Sequence, residues 1–97
     1  MKITLCGRNY DVRLVWLSYT NDNVAIQAVD DDGPVAVLTV NTGDVVPATH
    51  VVIKDYSEND GALKSLVEAG VVSEPVYYID SGWVTCPVCK ILNRKEA

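Results

Sequence analysis

No apolar stretch in this chain runs far before turn-forming residues cut it. Gly7-Arg8-Asn9, Thr20-Asn21-Asp22-Asn23, Asp30-Asp31-Asp32-Gly33-Pro34, the Asn41 to Thr49 loop, Ser73-Glu74-Pro75 and Asp80-Ser81-Gly82 divide it into pieces of strand length. The pieces are rich in Val, Ile, Leu, Thr, Tyr and Trp, which suit a pleated, half-buried surface. Neighbours in sequence joined by short turns usually pair, so the pattern predicts an α+β fold, an antiparallel β-meander of about five to seven strands.

The expected strands are Ile3 to Cys6, Tyr10 to Tyr19, Val24 to Val29, Val35 to Val40, His50 to Lys54 and Trp83 to Thr85, with Val71-Val72 and Val76 to Ile79 as short extended segments. Along the second, Tyr10, Val12, Leu14 and Trp16 share one face and Asp11 and Arg13 the other. Asp-Gly ahead of Pro34 suits a tight reversal. One helix interrupts the pattern, at about residues 58–69, packed on the sheet. Ser57 and Asp60 are spaced as a capping box, Leu63, Leu66 and Val67 form an apolar stripe, and Gly70 suits the left-handed position that ends a helix.

At 97 residues the chain fits a single α+β domain over residues 1–97, with a frayed tail at 93–97. A chain of this length buries roughly 60–65% of its unfolded surface. No apolar run approaches the roughly 18 residues of a membrane span, and the first six residues are too short for a secretion signal. Three cysteines without such a signal make a poor disulfide framework, so a cytoplasmic protein is expected.

Thirteen acids against eight bases give a net charge of −5, which opposes direct binding to nucleic acid. From Leu14 to Ile53 there is no Lys or Arg, while Asp22, Asp30, Asp31, Asp32 and Asp44 all fall there. These acids serve either as turn residues on solvated faces or as an acidic surface that docks on a basic partner.

Cys86-Pro87-Val88-Cys89 is the strongest chemical motif. A thioredoxin-like redox site needs the first Cys at a helix N-terminus with much of a domain to follow, and only eight residues follow Cys89. Zinc needs about four ligands, and the pair could be completed by Cys6 and His50, or by a second chain in a homodimer. The alternative is that Cys6 and Cys89 are small buried hydrophobes and Cys86 a partly exposed thiol. His50 has no nucleophile near it in sequence. No phosphate-binding glycine loop or calcium loop is present, and no enzyme active site is legible.

The segment Lys54-Asp55-Tyr56-Ser57-Glu58-Asn59-Asp60-Gly61 is more polar than helix capping requires. Together with Leu63, Leu66, Val67 to Val72, Pro87 and Cys89, it resembles a family of short uncharacterised proteins from phages and mobile elements that carry a KDYSEN-type motif before a single helix. The resemblance implies a small accessory protein that binds and inhibits host machinery, with anti-CRISPR or other anti-defence action on a nuclease as the candidate; it carries over no catalytic residues. The leading expectation is therefore a non-enzymatic interaction protein without a cofactor. Its partner-binding residues would be Asp30, Asp31, Asp32, Asp55, Tyr56, Glu58, Asn59 and Asp60. The second expectation is the zinc-stabilised module.

Overall fold

Most breaks in the sequence become turns of the chain, but the strands do not join into one meander. The computed structural model describes residues 1–94 and holds, among them, eight strands in three small antiparallel sheets, with one α-helix. Strands β1 (Lys2–Leu5) and β2 (Arg8–Asp11) form a hairpin over Cys6-Gly7. Both turn residues have positive φ, 49° and 78°, as a two-residue type I′ turn requires. Strands β3 (Arg13–Ser18), β4 (Val24–Asp30) and β5 (Gly33–Val37) form the second sheet in sequence order.

The single strand expected over Tyr10 to Tyr19 is in fact two. Residues up to Asp11 pair with β1, whereas Arg13 to Ser18 pair with β4. Val12 stands between them, with its N–H bonded to the Met1 carbonyl at 2.8 Å and its side chain in the core. The chain changes partner at that residue without losing side-chain alternation, so Val12 and Leu14 are both buried.

The third sheet contains β6 (His50–Val52), β7 (Val72–Ser81) and β8 (Val84–Ile91), in the order β6-β8-β7. Two expectations are corrected here. Ser73-Glu74-Pro75 does not split two strands; the register shifts around Pro75 bulge one long strand. The last strand does not stop at Thr85 but runs through Cys86-Pro87-Val88-Cys89 as the centre of the sheet. Pro87 is tolerated there because it faces the end of β6, where only its carbonyl is used, accepting from Ile53 N–H at 2.9 Å.

The helix is shorter than expected and starts later. Ser57–Asn59 form a single 3-10 turn without a side-chain cap, and α1 spans Ala62–Glu68. Ser57, at φ 53°, and Gly61, at φ 103°, interrupt the helical path that a Ser57 capping box would have started. The cap comes from farther back. One Asp55 carboxylate oxygen accepts from the N–H of Gly61 at 3.1 Å and of Leu63 at 3.0 Å, satisfying two of the donors a helix start leaves open.

One hydrophobic cluster joins all three sheets and the helix: Ile3, Val12, Leu14, Ile26, Leu38, Val51, Leu66, Val72 and Cys89 are among its buried members. Leu63 and Val67 pack at its margin, as the stripe predicts. Val46, Val52, Cys86 and Val88 form a second, smaller cluster on the other face of the third sheet. Within the tail expected at 93–97, the Asn93 N–H reaches the Val71 carbonyl at 3.2 Å and the Arg94 guanidinium lies 5.0 Å from the Trp16 ring centroid. Residues 95–97 lie outside the described residues. Among the described residues no helix is long and apolar enough to cross a membrane.

Candidate functional site

The zinc constellation does not assemble within the chain. Cys86 and Cys89 lie three apart on β8, so their side chains leave the strand on opposite faces, and each enters a different core cluster. Cys6 sits in the first hairpin turn, where its thiol donates to the Ser57 carbonyl at 2.9 Å. His50 meets Thr49 Oγ1 through Nδ1 at 2.8 Å and stacks obliquely near Tyr77. Among the described residues no three His, Cys or acidic side chains gather as a metal site would need. Burial pushes the Cys89 thiol up to about 11, with Glu74 and Asp55 adding to it, and burial, then Asp80, raises Cys86 as well. Buried thiols with raised pKa are poor nucleophiles. Both side chains are also closed to a second chain, since each is fully buried. Cys86 is thus not the partly exposed thiol of the alternative reading, and Cys6, the expected small buried hydrophobe, is the exposed one.

Most of the polar entry to the helix has a structural account, although the Asp60 carboxylate stays exposed. Asp55 caps α1. Tyr56 packs against the second cluster, with the Lys54 ammonium 5.6 Å from its ring centroid. Glu58 accepts from Lys54, a bond that holds the Glu58 carboxyl below its ordinary range and raises Lys54. Asn59 is 1% exposed and donates its amide to the Val37 carbonyl at 2.6 Å, so it presents nothing to a partner. The Asp60 carbonyl accepts from the Cys6 N–H at 2.8 Å, tying the segment to the first hairpin.

The three consecutive aspartates turn the chain from β4 to β5. Asp30 accepts from the Asp32 N–H at 2.8 Å, and Asp31 lies 3.5 Å from the Arg13 guanidinium. Gly33, at φ 119°, supplies the positive φ expected of it.

Large apolar side chains are exposed at several places among the described residues, Leu17, Val45 and Leu92 included, and most densely along β7. Strand β7 is an edge of its sheet, and three consecutive residues on it, Val76, Tyr77 and Tyr78, are exposed, Tyr78 by 60%. The hairpin beyond it closes over Gly82-Trp83, with Gly82 at φ 61° as in a Gly-X type II′ turn. Trp83 stands wholly in solvent at the tip, 103% exposed. Tyr77 pairs with Val88 and Tyr78 with Pro87, so the two tyrosines cover opposite faces of the same edge. From Ser65 to Cys89 the chain has no Lys or Arg, while Glu68, Glu74 and Asp80 all lie there.

Comparison with protein-family models, curated proteins and solved structures finds no match for this chain. Its own geometry must therefore carry the functional reading. Large aromatic side chains with a polar handle are the residues most enriched at the energetic centres of protein interfaces. The sequence contained a signal for this surface: adjacent Tyr77-Tyr78 must face opposite ways in a strand, so both can be core only if both faces are covered. Placing Trp83 in a strand rather than in the turn concealed it.

Proposed function

We propose that this chain is a non-enzymatic binding protein that engages a protein partner through the β7 edge and the Trp83 hairpin tip. The observation that carries this reading is Trp83, wholly exposed at the hairpin tip, together with Val76, Tyr77 and Tyr78 exposed along the acid-flanked edge strand that leads to it. Leaving that much aromatic surface in water is costly for a lone chain, and contact with a partner recovers it. The resemblance to phage and mobile-element proteins implies a host protein, with a nuclease's basic channel as one candidate. The local excess of carboxylates supports a basic partner of that kind and would speed its encounter. This moves the acidic docking surface proposed from sequence, away from Asp30 to Asp32 and the helix entry and onto β7.

Affinity capture from the native host tests it. Trp83→Ser is expected to lower partner recovery roughly tenfold or more, as loss of a central aromatic anchor does, with an unchanged unfolding midpoint. Reversing Asp30, Asp31 and Asp32 to Lys together is expected to lower it less than about threefold, the scale of rim charges. The opposite ranking would return the site to the β4–β5 turn.

A further inference from the structure

We infer that β7 binds by strand addition, taking an extended cationic segment of a protein partner as a fourth strand of the third sheet. The inference rests on the binding reading above and gives it a mode and a ligand chemistry. In an antiparallel ladder, residues alternate between those that bond to the neighbouring strand and those whose backbone groups point away from it. The Pro87 carbonyl is committed to Ile53 on the β6 side, so Tyr78, opposite Pro87, forms the non-bonded kind of pair with β8. The N–H and C=O of Tyr78 therefore point outward from the sheet, and by alternation so do those of Asp80. Two outward residues at i and i+2 offer the ladder that an added strand needs.

The side chains along this edge specify what kind of strand fits. Tyr77 and Tyr78 give an apolar centre on both faces. At one end stands Asp80, with one carboxylate oxygen held by the Thr85 hydroxyl at 3.0 Å. At the other end, between α1 and β7, is a hollow of about 360 Å³ lined by Asp55, Leu63, Lys64, Val67, Glu68 and Glu74. Three carboxylates against one ammonium, which itself lies 3.8 Å from Glu68, make this a seat for a basic side chain with an apolar stem. The matching ligand is an extended peptide with apolar residues in its middle and Lys or Arg toward both ends. A second copy of this chain is a poor occupant, because its own edge brings only carboxylates to the same place. Glu74, Pro75 and the bulge beside them also blunt the start of the edge against self-pairing.

The test is selection from a random twelve-residue peptide library displayed on phage, followed by binding of the best synthetic peptide in two forms, N-methylated on its odd or on its even backbone amides. Strand addition predicts apolar-centred peptides with basic ends. It also predicts that methylation of one alternate set costs about tenfold or more in affinity, while the other set costs about threefold or less. The paired variant Glu74→Lys, Asp80→Lys is expected to weaken binding about tenfold and to reduce its salt dependence. Equal tolerance of both methylated forms, selection of acidic or uncharged peptides, no enrichment at all, or a β7-to-β7 dimer in sedimentation would overturn the inference. If any of these occurs while Trp83→Ser still lowers host capture about tenfold or more, strand addition fails and the binding reading stands; loss of both readouts removes both.

Discussion

Asn59→Asp is expected to destabilise the protein by about 3–5 kcal/mol at neutral pH, the range for an unpaired buried charge. The change is nearly isosteric, so packing is preserved and only chemistry differs. Asn59 is almost wholly buried and donates to the Val37 carbonyl at 2.6 Å. An ionised carboxylate has no proton to give, faces a carbonyl of its own sign and loses its water. The protonated acid can donate again, so the aspartate in the folded variant has its pKa raised. Its stability is then greatest below the ordinary carboxylate range and is lost as pH rises through the raised value. Urea unfolding of both proteins at pH 4.5 and pH 7 checks it: the deficit should shrink at the lower pH. A variant as stable as the parent at pH 7 would show that Asn59 is not the bolt between the helix entry and β5.

Gly61→Ala is expected to cost about 2–5 kcal/mol, from two sources that add. At φ 103° an alanine is strained by about 1–2 kcal/mol. Its Cβ would also stand 2.5 Å from the Thr4 carbonyl oxygen, a backbone atom that cannot rotate away. The first hairpin and α1 would have to separate, at the roughly 1–3 kcal/mol typical of overpacking. Gly7→Ala is the control. It sits at φ 78° with nothing within 4 Å of the added carbon, so it should show the strain alone. Equal unfolding midpoints for the two variants would contradict the close approach of Gly61 to β1. Against a total stability of about 5–15 kcal/mol for small domains, either large loss would be evident.

These residues also mark what the sequence could and could not reveal. Turn chemistry was legible: Cys6-Gly7, the Asp-Gly reversal into β5 and the Gly-X turn before Val84 each sit near their expected breaks, because positive φ demands particular residues. The α+β class and the stripe of Leu63, Leu66 and Val67 follow from periodicity alone. The helix start was misplaced because Ser57 and Asp60 match a capping box locally, while the decisive contact, Gly61 against Thr4, is separated from it by most of the chain. The sheet order escaped for a similar reason. Strand β8 inserts between β6 and β7, and Pro87 in a central strand argues against that arrangement until the Ile53 contact is known.

The site was the least legible part. Polar residues around Asp55 to Asp60 draw attention in a sequence because they exceed what one helix needs. In the fold Asp55, Glu58 and Asn59 have a cap, an ion pair and a buried amide to account for them, while the Asp60 carboxylate stays exposed. The exposed aromatics of β7 look like ordinary core residues until an edge strand leaves them uncovered. Charge points the same way once position is known: the stretch from Ser65 to Cys89 that flanks them lacks any cation.

Amide hydrogen exchange of the chain, free and bound to the partner captured from its host, tests the central claim most directly. Binding at the β7 edge predicts that the Tyr78 and Asp80 amides, which point away from β8, slow about tenfold or more in the complex, while the amides of Tyr56 to Asp60 are unchanged. Slowing confined to Asp55 to Asp60 or to Asp30 to Asp32, with Tyr78 and Asp80 unaffected, would contradict it.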